Sequence, residues 1–475
     1  MKIIPIFLFS IISTVLLGQK WVDTLYNIHQ INNISYGKAV DFAGNNRDLL
    51  LNLATPINDS PPKCGRPLLV AIHGGAFLAG NKDIDAPPRW IADFAKRGYV
   101  AASLNYRLGM FQTNSQVNCN ISAFGIPWNC LNMQDTAEWF RGYYRGMQDA
   151  KGAIRFLVNH AAEYQIDPSN VYLVGESAGG FIALATAFLD DPAEKPTQCG
   201  KLTNVLPPNK IYENQCIQST GFDTSIASMN LERPDLGDVE GNLNPTTIKY
   251  KIKGVGNFFG GVLSNIFAKH SYEKAPVLYL FHQPNDLVVP IDNGNFYQGA
   301  GICYSNFPSY CQSIVNRPRL FGSFGIKKMI DSLSGKVEVP KYRYETTNNL
   351  TDCLGQLLNP STSGHAIDNY WTRSLSMAKF FAPTIDTVSN CITSFNPLST
   401  NDAILLFPNP LQDDEVNIIT DLVIENVKIY DIKGVLVMNY TEIHDQKLVL
   451  PPISKGIYLV KIKTNSGEKV LKLVK

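Results

Sequence analysis

The sequence has almost no net charge and no second long apolar run after its first residues. Its 42 lysines and arginines nearly balance 41 aspartates and glutamates, so the formal net charge is +1. A chain without excess positive charge has no electrostatic footprint for nucleic acid or an anionic membrane surface. No later stretch has the roughly 20 apolar residues that a membrane span needs. We therefore expect no nucleic-acid partner and no transmembrane segment in the mature chain.

Cysteine is present, but not in the pattern of a metal site. None of the nine cysteines falls in a C-x-x-C spacing, and no histidines cluster beside them. In an exported chain this usage favours disulfides over metal ligands. Connectivity cannot be deduced from sequence, so the pairs suggested by proximity are hypotheses that leave Cys64 unpaired: Cys119–Cys130, Cys199–Cys216, Cys303–Cys311 and Cys353–Cys391.

The first segment, MKIIPIFLFSIISTVLLGQ, predicts a secretory signal peptide over residues 1–18. It has a positive Lys2, an apolar run that ends at Leu17, and the small Gly18 at the expected cleavage site. The run is short for a membrane span, although an uncleaved anchor helix is the alternative. We expect a chain that is exported through the periplasm and is secreted or held at the cell surface.

Residues 19–395 alternate short apolar runs with helical stretches, which predicts an α/β domain with a mostly parallel sheet and helices on both faces. The segments RPLLVAIHGG and GYVAASLNYR are typical of buried strands, and PRWIADFAKR between them is typical of a crossover helix. Two insertions interrupt this rhythm, at about residues 109–144 and 190–247. Loops of this length are either functional lids or disulfide-pinned surface segments, and both interpretations stay open.

Residues 396–475 have a different pattern. Apolar and polar residues alternate with a period of two, and turns fall at Lys433-Gly434 and Lys455-Gly456. Such alternation predicts a small, separate, all-β sandwich.

The stretch VYLVGESAGG carries the clearest chemical signal. It places Ser177 in a G-x-S-x-G motif after a predicted strand and before a predicted helix. A nucleophile elbow turns so sharply that Gly175 and Gly179 must lack side chains, which leaves the Ser177 hydroxyl exposed above the sheet. We therefore predict Ser177 as the nucleophile.

The earlier stretch AIHGGAF follows another predicted strand. Its glycine-rich backbone can aim the amides of Gly75 and Ala76 at a developing negative charge, with the amide of Ala178 as a third donor. These three residues are the predicted oxyanion hole, and an ordinary strand-to-helix turn is the alternative. His73 is interpreted as structural, bracing this loop by hydrogen bonding.

A serine nucleophile needs a base and an acid, which in this architecture follow it in the order acid, then histidine. Asp286 lies just past the predicted strand APVLYLFH. His365 is the only histidine beyond Asp286 within the domain, so we predict Asp286 as the acid and His365 as the base. The acid would hold the imidazole in the tautomer whose free nitrogen faces Ser177.

Three further ionisable residues are structural candidates. His282 and Asp292 are the rivals of the predicted base and acid, and we interpret His282 as a packed or loop-bracing residue. Glu176 is interpreted as a buried, hydrogen-bonded carboxyl group that supports the elbow.

The motifs HGGAF, NYRLG and DPSNVYLVGESAGG, in this order and spacing, resemble the α/β-hydrolase superfamily on the side of secreted bacterial carboxylesterases, hormone-sensitive-lipase-like or type B. The resemblance implies Ser177, Asp286 and His365 as a catalytic triad. The sequence departs from the family's pattern at two positions: Ala76 ends the glycine run, and His282 is followed by Gln283 where relatives usually have glycine. Neither change removes a catalytic group, so both affect the expected shape of the substrate more than the expected activity.

The C-terminal motifs LFPNP, VKIYDIKGVLV and KGIYLVKIKTNSGEKVLKLVK resemble the sorting domain that directs Bacteroidetes proteins through the type IX secretion system. The resemblance implies the type IX secretion machinery as a partner. A β-sandwich accessory or carbohydrate-binding module is the alternative.

These features together predict a secreted serine carboxylic-ester hydrolase that forms an acyl-enzyme and needs no cofactor or metal. The expected substrates are small or polymeric esters, including acetyl, feruloyl and other short to medium acyl esters or polyesters. A prolyl-oligopeptidase-like serine peptidase is one alternative, although no propeller-like repeats precede the domain. An inactive hydrolase-fold protein that serves in surface binding is the other.

Overall fold

The computed structural model describes residues 19–42, 44–110, 136–202, 233–268, 275–296, 318–347 and 364–386, and most of 404–475 apart from 408, 412–413, 421–422, 433, 442–445 and 465–466. Its contacts divide the chain into two units, 1–392 and 393–475, close to the predicted boundary at residue 395. The predicted signal peptide, residues 1–18, lies outside the described residues. Within the described residues, no helix has the length and apolar character to cross a bilayer.

The first unit is built on a twisted sheet. Its described strands are β1 (Asn27–Val40), β2 (Asn46–Ile57), β3 (Arg66–Ile72), β4 (Val100–Leu104), β5 (Ile166–Glu176), β6 (Ile252–Phe258), β7 (Gly261–Val262), β8 (Val277–Phe281), β9 (Asn293–Asn295), β10 (Arg319–Gly322) and β11 (Tyr342–Glu345). Eight of them form one sheet in the order β1-β2-β4-β3-β5-β6-β8-β11, and β7-β10-β9 form a small second sheet.

The central sheet is mostly parallel. Strands β4, β3, β5, β6, β8 and β11 pair in parallel, whereas β1 and β2 are antiparallel to their neighbours. All residues of β3 and β4 are buried, which explains why these strands are continuous apolar runs in the sequence. The fold prediction is confirmed for this core, but the long edge strand β1 was not predicted because its pattern is largely polar and exposed.

Helices cover both faces of the sheet. They are α1 (Pro87–Lys96), α2 (Thr136–Asn159), α3 (Ala161–Tyr164), α4 (Ala178–Phe188), α5 (Ser323–Leu333) and α6 (Tyr370–Phe381), with short 3-10 turns at Pro192–Glu194, Thr197–Cys199 and Ala382–Thr384. One buried cluster joins the sheet to α2, α4 and α5. A second cluster joins the other face to α1 and α6. The central strands β3 and β4 are therefore buried on both sides, between the helices of the two clusters.

The predicted bounds of the first insertion are wrong. Helix α2 begins at Thr136, so residues 136–144, which we expected in the insertion, belong to the core. Trp139 and Tyr143 are buried on the same helix face as Met147, and this apolar spacing outweighs the aromatic-rich composition that suggested a loop. Residues 111–135 of the first insertion and 203–232 of the second lie outside the described residues.

Two cysteines lie within the described residues, and both contradict the suggested pairing. Cys64, expected to be unpaired, is disulfide-bonded, whereas Cys199, expected to pair with Cys216, is a free buried thiol. Sequence proximity is a poor guide here because loops that are distant along the chain can meet at the ends of the sheet. The remaining suggested pairs, Cys119–Cys130, Cys303–Cys311 and Cys353–Cys391, lie outside the described residues.

The second unit is all-β, as predicted. Its strands are β12 (Leu405–Phe407), β13 (Glu415–Ile419), β14 (Ile424–Asp431), β15 (Leu436–Tyr440), β16 (Lys447–Val449), β17 (Ile457–Thr464) and β18 (Gly467–Val474). They form two antiparallel sheets, β12-β13-β16 and β15-β14-β17-β18, which share one buried cluster. Strand β17 alternates buried and solvent-facing residues, which is the period of two seen in the sequence.

Candidate active site

Ser177 lies in a sharp turn between β5 and α4. Its backbone angles are φ 51° and ψ −124°, a region that non-glycine residues adopt only where the surrounding structure imposes it. A Cβ atom on Gly175 would lie 2.1 Å from the carbonyl oxygen of Gly179, and a Cβ on Gly179 would lie 2.1 Å from that of Ile72. Strand, turn and helix therefore pass so closely that both positions require glycine, as the nucleophile-elbow interpretation expects.

The structure brings Ser177, Asp286 and His365 together. The Nε2 atom of His365 lies 2.9 Å from the hydroxyl oxygen of Ser177. On the other side of the ring, Nδ1 lies 2.7 Å from Oδ2 of Asp286. An ionised carboxylate only accepts hydrogen bonds, so Nδ1 carries the hydrogen and Nε2 is left to accept the serine proton.

The loop before His365 approaches the loop of Asp286 closely because of one glycine. Gly364 has φ +74°, and a Cβ there would lie 2.7 Å from the backbone of Asn285. On the other side, the ring of Phe259 packs edge-on against the His365 imidazole, with centroids 4.7 Å apart. The sequence analysis did not identify Gly364 or Phe259 as site residues. The run of small residues STSGHA is the one feature of the sequence that indicates a close approach at Gly364.

The Asp286 carboxyl group is buried and fully hydrogen-bonded. Its Oδ1 accepts from the amides of Val288 and Val289 at 2.8 and 2.9 Å. Burial alone raises the pKa of Asp286, but the charge of His365 and the hydrogen bonds from His282 and His365 outweigh it and hold the pKa below its ordinary value. The acid therefore stays ionised throughout the neutral range.

The predicted oxyanion loop lies directly against Ser177. A Cβ on Gly74 would lie 3.1 Å from the Cβ of Ser177, and Gly75 and Ala76 have φ +106° and +55°. Within the described part of the chain, neither the Gly75 amide nor the Ala76 amide donates to another backbone group. Ala178 is the first residue of α4, where amides have no intrahelical acceptor.

Phe77 anchors this loop and was missed by the sequence analysis. Its buried ring packs edge-to-face against Trp139, Tyr143 and Phe181, with centroids 6.2 to 6.5 Å apart. These contacts fix the loop to helices α2 and α4. Such aromatic pairs prefer this geometry, and a buried Phe contributes strongly to local rigidity.

His73 braces the loop, as predicted. Its Nδ1 donates to the carbonyl oxygen of Gly74 at 2.7 Å, and its ring stacks on Tyr106 with centroids 4.3 Å apart. Burial lowers the pKa of His73 to about 4, so the ring is neutral at physiological pH. Tyr106 also donates to the His73 carbonyl oxygen at 3.1 Å.

Glu176 supports the elbow from the side, as predicted. Its Oε1 accepts a hydrogen bond from the amide of Ala86 at 3.0 Å, and the side chain is buried. Burial raises the pKa of the Glu176 carboxyl group to about 8, although the hydrogen bond from Ala86 acts in the opposite direction. Glu176 is therefore mostly protonated at neutral pH.

Substitution of Glu176 by Gln should change stability in a pH-dependent way. The pKa of Glu176 is higher in the folded protein than in the unfolded chain. The wild type therefore loses stability as pH rises from about 5 towards 8, because over this interval the unfolded chain has released the proton that the folded protein still holds. The stability difference in favour of Glu176→Gln should therefore grow over this interval by roughly 3 to 5 kcal/mol and be constant above it. Chemical denaturation of both proteins from pH 5 to 9 measures this. Glu163→Gln, at an exposed position, controls for the lost charge, and a difference independent of pH would contradict the assignment.

Neither of the two rivals of the predicted triad residues is hydrogen-bonded to Ser177 within the described residues. Asp292 forms a surface ion pair with Lys328 at 2.5 Å. His282 is buried, and its Nε2 lies 3.1 Å from Oδ2 of Asp286, the same oxygen that His365 contacts. Across the described residues, no group of three or more His, Cys, Asp or Glu side chains could hold a metal ion.

Two family models match the chain, one in each unit. Residues 51–118 and 141–298 match the family model BD-FAE, and residues 405–475 match the model described as a secretion system C-terminal sorting domain. The first unit is therefore an α/β-hydrolase domain, and the family that it matches is BD-FAE. The second unit is a sorting domain of the secretion-system type.

Curated relatives cover only part of the first unit. Phenmedipham hydrolase of Pseudarthrobacter oxydans is 33% identical over 142 residues, which are 29% of this chain and 23% of the relative. Carboxylesterase patB of Aspergillus clavatus is 26% identical over 36% of this chain and 29% of its own length. Neuroligin-like protein glit-1 of Caenorhabditis elegans is 32% identical over 28% of this chain and 14% of its own length. The chain thus spans less than a third of the length of these relatives.

The chain is also similar to solved structures of a carbohydrate esterase and of another esterase. A truncated form of a carbohydrate esterase from gut microbiota is 17% identical, covers 76% of this chain and 97% of its own, and has a TM-score of 0.39. Thermogutta terrifontis esterase 2 is 15% identical, covers 75% of this chain and 95% of its own, and has a TM-score of 0.36.

Proposed function

We propose that this protein is a secreted serine carboxylic-ester hydrolase. The observation that carries the proposal is the position of the His365 ring, whose two nitrogens lie 2.9 Å from the Ser177 hydroxyl oxygen and 2.7 Å from the Asp286 carboxylate. A hydroxyl, an imidazole and a buried carboxylate in this order form the arrangement that activates serine for attack on a carbonyl carbon.

The reaction would proceed in two halves. Ser177 Oγ attacks the ester carbonyl carbon while His365 Nε2 takes its proton; the tetrahedral intermediate then expels the alcohol, which leaves with that proton. Water then attacks the acyl-enzyme, again giving up a proton to His365, and the collapse of the second intermediate returns the proton to Ser177 and releases the acid. Asp286 stays ionised and stabilises the imidazolium in both halves.

The amides of Gly75, Ala76 and Ala178 are the proposed oxyanion hole. Their support is the close approach of Gly74 to Ser177 and the absence of a backbone acceptor for the Gly75 and Ala76 amides among the described residues. Donors of this kind stabilise the negatively charged oxygen of both tetrahedral intermediates, and each is typically worth about 3 to 4 kcal/mol in a water-excluded site.

The second unit supports export as part of the function. A secretion system C-terminal sorting domain at residues 405–475 indicates delivery to the cell surface or beyond. We propose passage through the type IX system after removal of residues 1–18. Substrates would then be met outside the cell, as acetyl, feruloyl or other short to medium acyl esters, or as polyesters.

A panel of substrates tests the proposal. The protein is expected to hydrolyse at least one of p-nitrophenyl acetate, p-nitrophenyl butyrate and methyl ferulate, and to leave prolyl amides intact. Cleavage of prolyl amides without ester turnover would instead favour a prolyl-oligopeptidase-like peptidase. Inertness toward every ester and amide would favour a surface binding protein that uses the fold without catalysis.

A further inference from the structure

A chain of hydrogen bonds continues from Asp286 into the interior of the first unit. The Nε2 atom of His282 lies 3.1 Å from Asp286 Oδ2 and 2.9 Å from the carbonyl oxygen of Val289. Its Nδ1 atom lies 3.3 Å from both the backbone nitrogen and the hydroxyl oxygen of Ser323. Asn257 in turn donates to the Ser323 hydroxyl at 3.1 Å. His282, Ser323 and Asn257 are completely buried.

These partners determine where the hydrogen of the His282 ring lies. The Ser323 amide only donates, so Nδ1 of His282 must accept. The Asp286 carboxylate and the Val289 carbonyl group only accept, so Nε2 must donate. A neutral imidazole with its hydrogen on Nε2 therefore satisfies each of these contacts, whereas an imidazolium would face the Ser323 amide with a second N–H.

The contact with His282 completes the coordination of the Asp286 carboxylate. Its Oδ1 accepts from two backbone amides, those of Val288 and Val289. Its Oδ2 accepts from two imidazoles, those of His365 and His282. A carboxylate has about four acceptor sites, so all are occupied. Rotation of the carboxyl group would break contacts on both oxygens, and this fixes Oδ2 toward His365.

We propose that His282 is a positioning residue of the active site, which holds Oδ2 of Asp286 against His365 and thereby orients the base. It does not contact Ser177, and its action reaches the reaction through Asp286 alone. The inference rests on the proposed function, because it assigns a role within the same Ser177, His365 and Asp286 arrangement.

The test compares two substitutions that differ in hydrogen bonding. His282→Leu removes the donor, and kcat for p-nitrophenyl acetate should fall about 10- to 100-fold, the usual effect of a lost hydrogen bond to a charged group, with KM within about twofold. His282→Gln offers an amide N–H near the former Nε2 position and should recover most of the loss. His160→Gln, beside the start of β5 rather than near Ser177, is the matched control and should leave kcat unchanged.

The pH profile separates positioning from packing. Within the described residues, the titratable groups that act on the Asp286 carboxyl group are His365 and His282. Without the His282 donor, Oδ2 carries more negative charge toward His365, so the imidazolium is stabilised and Asp286 itself is protonated more easily. The stabilised imidazolium moves the acid limb of kcat/KM upward, by about half to one pH unit in His282→Leu. A residue that only fills space would not move this limb.

Each outcome decides the inference. Wild-type kcat in His282→Leu, or a reduced kcat with an unmoved acid limb and no recovery in His282→Gln, would overturn it. If His282→Leu does not fold, His282→Asn replaces it in the test, because the shorter Asn side chain places its amide toward Ser323 and not toward Asp286. An active His282→Gln variant beside an impaired His282→Asn variant supports the positioning role of His282. Equal activities of these two variants refute it. Full activity of Ser177→Ala would refute the proposed function itself, whatever the His282 variants show.

Discussion

Replacement of Ser177 by Ala is expected to lower kcat for ester hydrolysis by roughly 10⁴- to 10⁶-fold. The substitution removes only the hydroxyl oxygen that lies 2.9 Å from His365, so no acyl-enzyme can form. A residual rate above that in water is expected, because the proposed oxyanion donors stay in place. Steady-state kinetics on p-nitrophenyl acetate measure the loss.

The fold of this variant should be unchanged, since alanine occupies the same backbone conformation without adding volume. Ser332→Ala is the matched control, because the Ser332 hydroxyl donates to the Met329 carbonyl oxygen on the exposed surface of α5. It should retain wild-type kcat. A Ser177→Ala variant within tenfold of the wild type would mean that another group performs the attack.

Substitution of Gly179 by Ala should have the largest effect on stability. The new methyl group would lie 2.1 Å from the Ile72 carbonyl oxygen and 2.6 Å from that of His73. Both contacts are with backbone, which cannot move aside without separating β3 from α4. We expect a loss of roughly 3 kcal/mol or more in the free energy of unfolding, measured by denaturant titration.

Activity should fall together with stability in this variant, because displacement of α4 also moves Ser177 and the amide of Ala178. Gly456→Ala is the control, since among the described residues a Cβ at Gly456 would meet nothing nearer than the edge of the Tyr458 ring at 4.0 Å. It should unfold like the wild type. A stable and active Gly179→Ala protein would show that the close packing of the elbow is not required.

The elbow could be predicted because its requirements are local. A turn of this sharpness needs glycine at fixed distances from the serine, so Gly175 and Gly179 mark it in the sequence itself. Asp286 and His365 needed more than local pattern. Their roles were predicted from chain order and from the scarcity of histidines after Ser177. The sheet brings the two residues together because parallel strands end at one edge.

What the sequence analysis missed depends on tertiary packing. The extent of α2 was misjudged because buried Trp139 and Tyr143 occur among residues typical of loops, and their burial depends on tertiary contacts such as those with Phe77. The pairing of Cys64 depends on contacts between distant segments. The hydrogen bond from His282 to Asp286 depends on how the chain after β8 turns back toward Ser323, which no spacing of residues reveals.

The most direct test of the central claim is covalent labelling with a fluorophosphonate, followed by peptide mass spectrometry. Phosphorus should be attached to Ser177 by displacement of fluoride, at one equivalent per chain, with complete loss of esterase activity. His365→Ala should react far more slowly, because the serine would lack its base. Labelling at another residue, or full esterase activity after complete labelling of Ser177, would contradict the account.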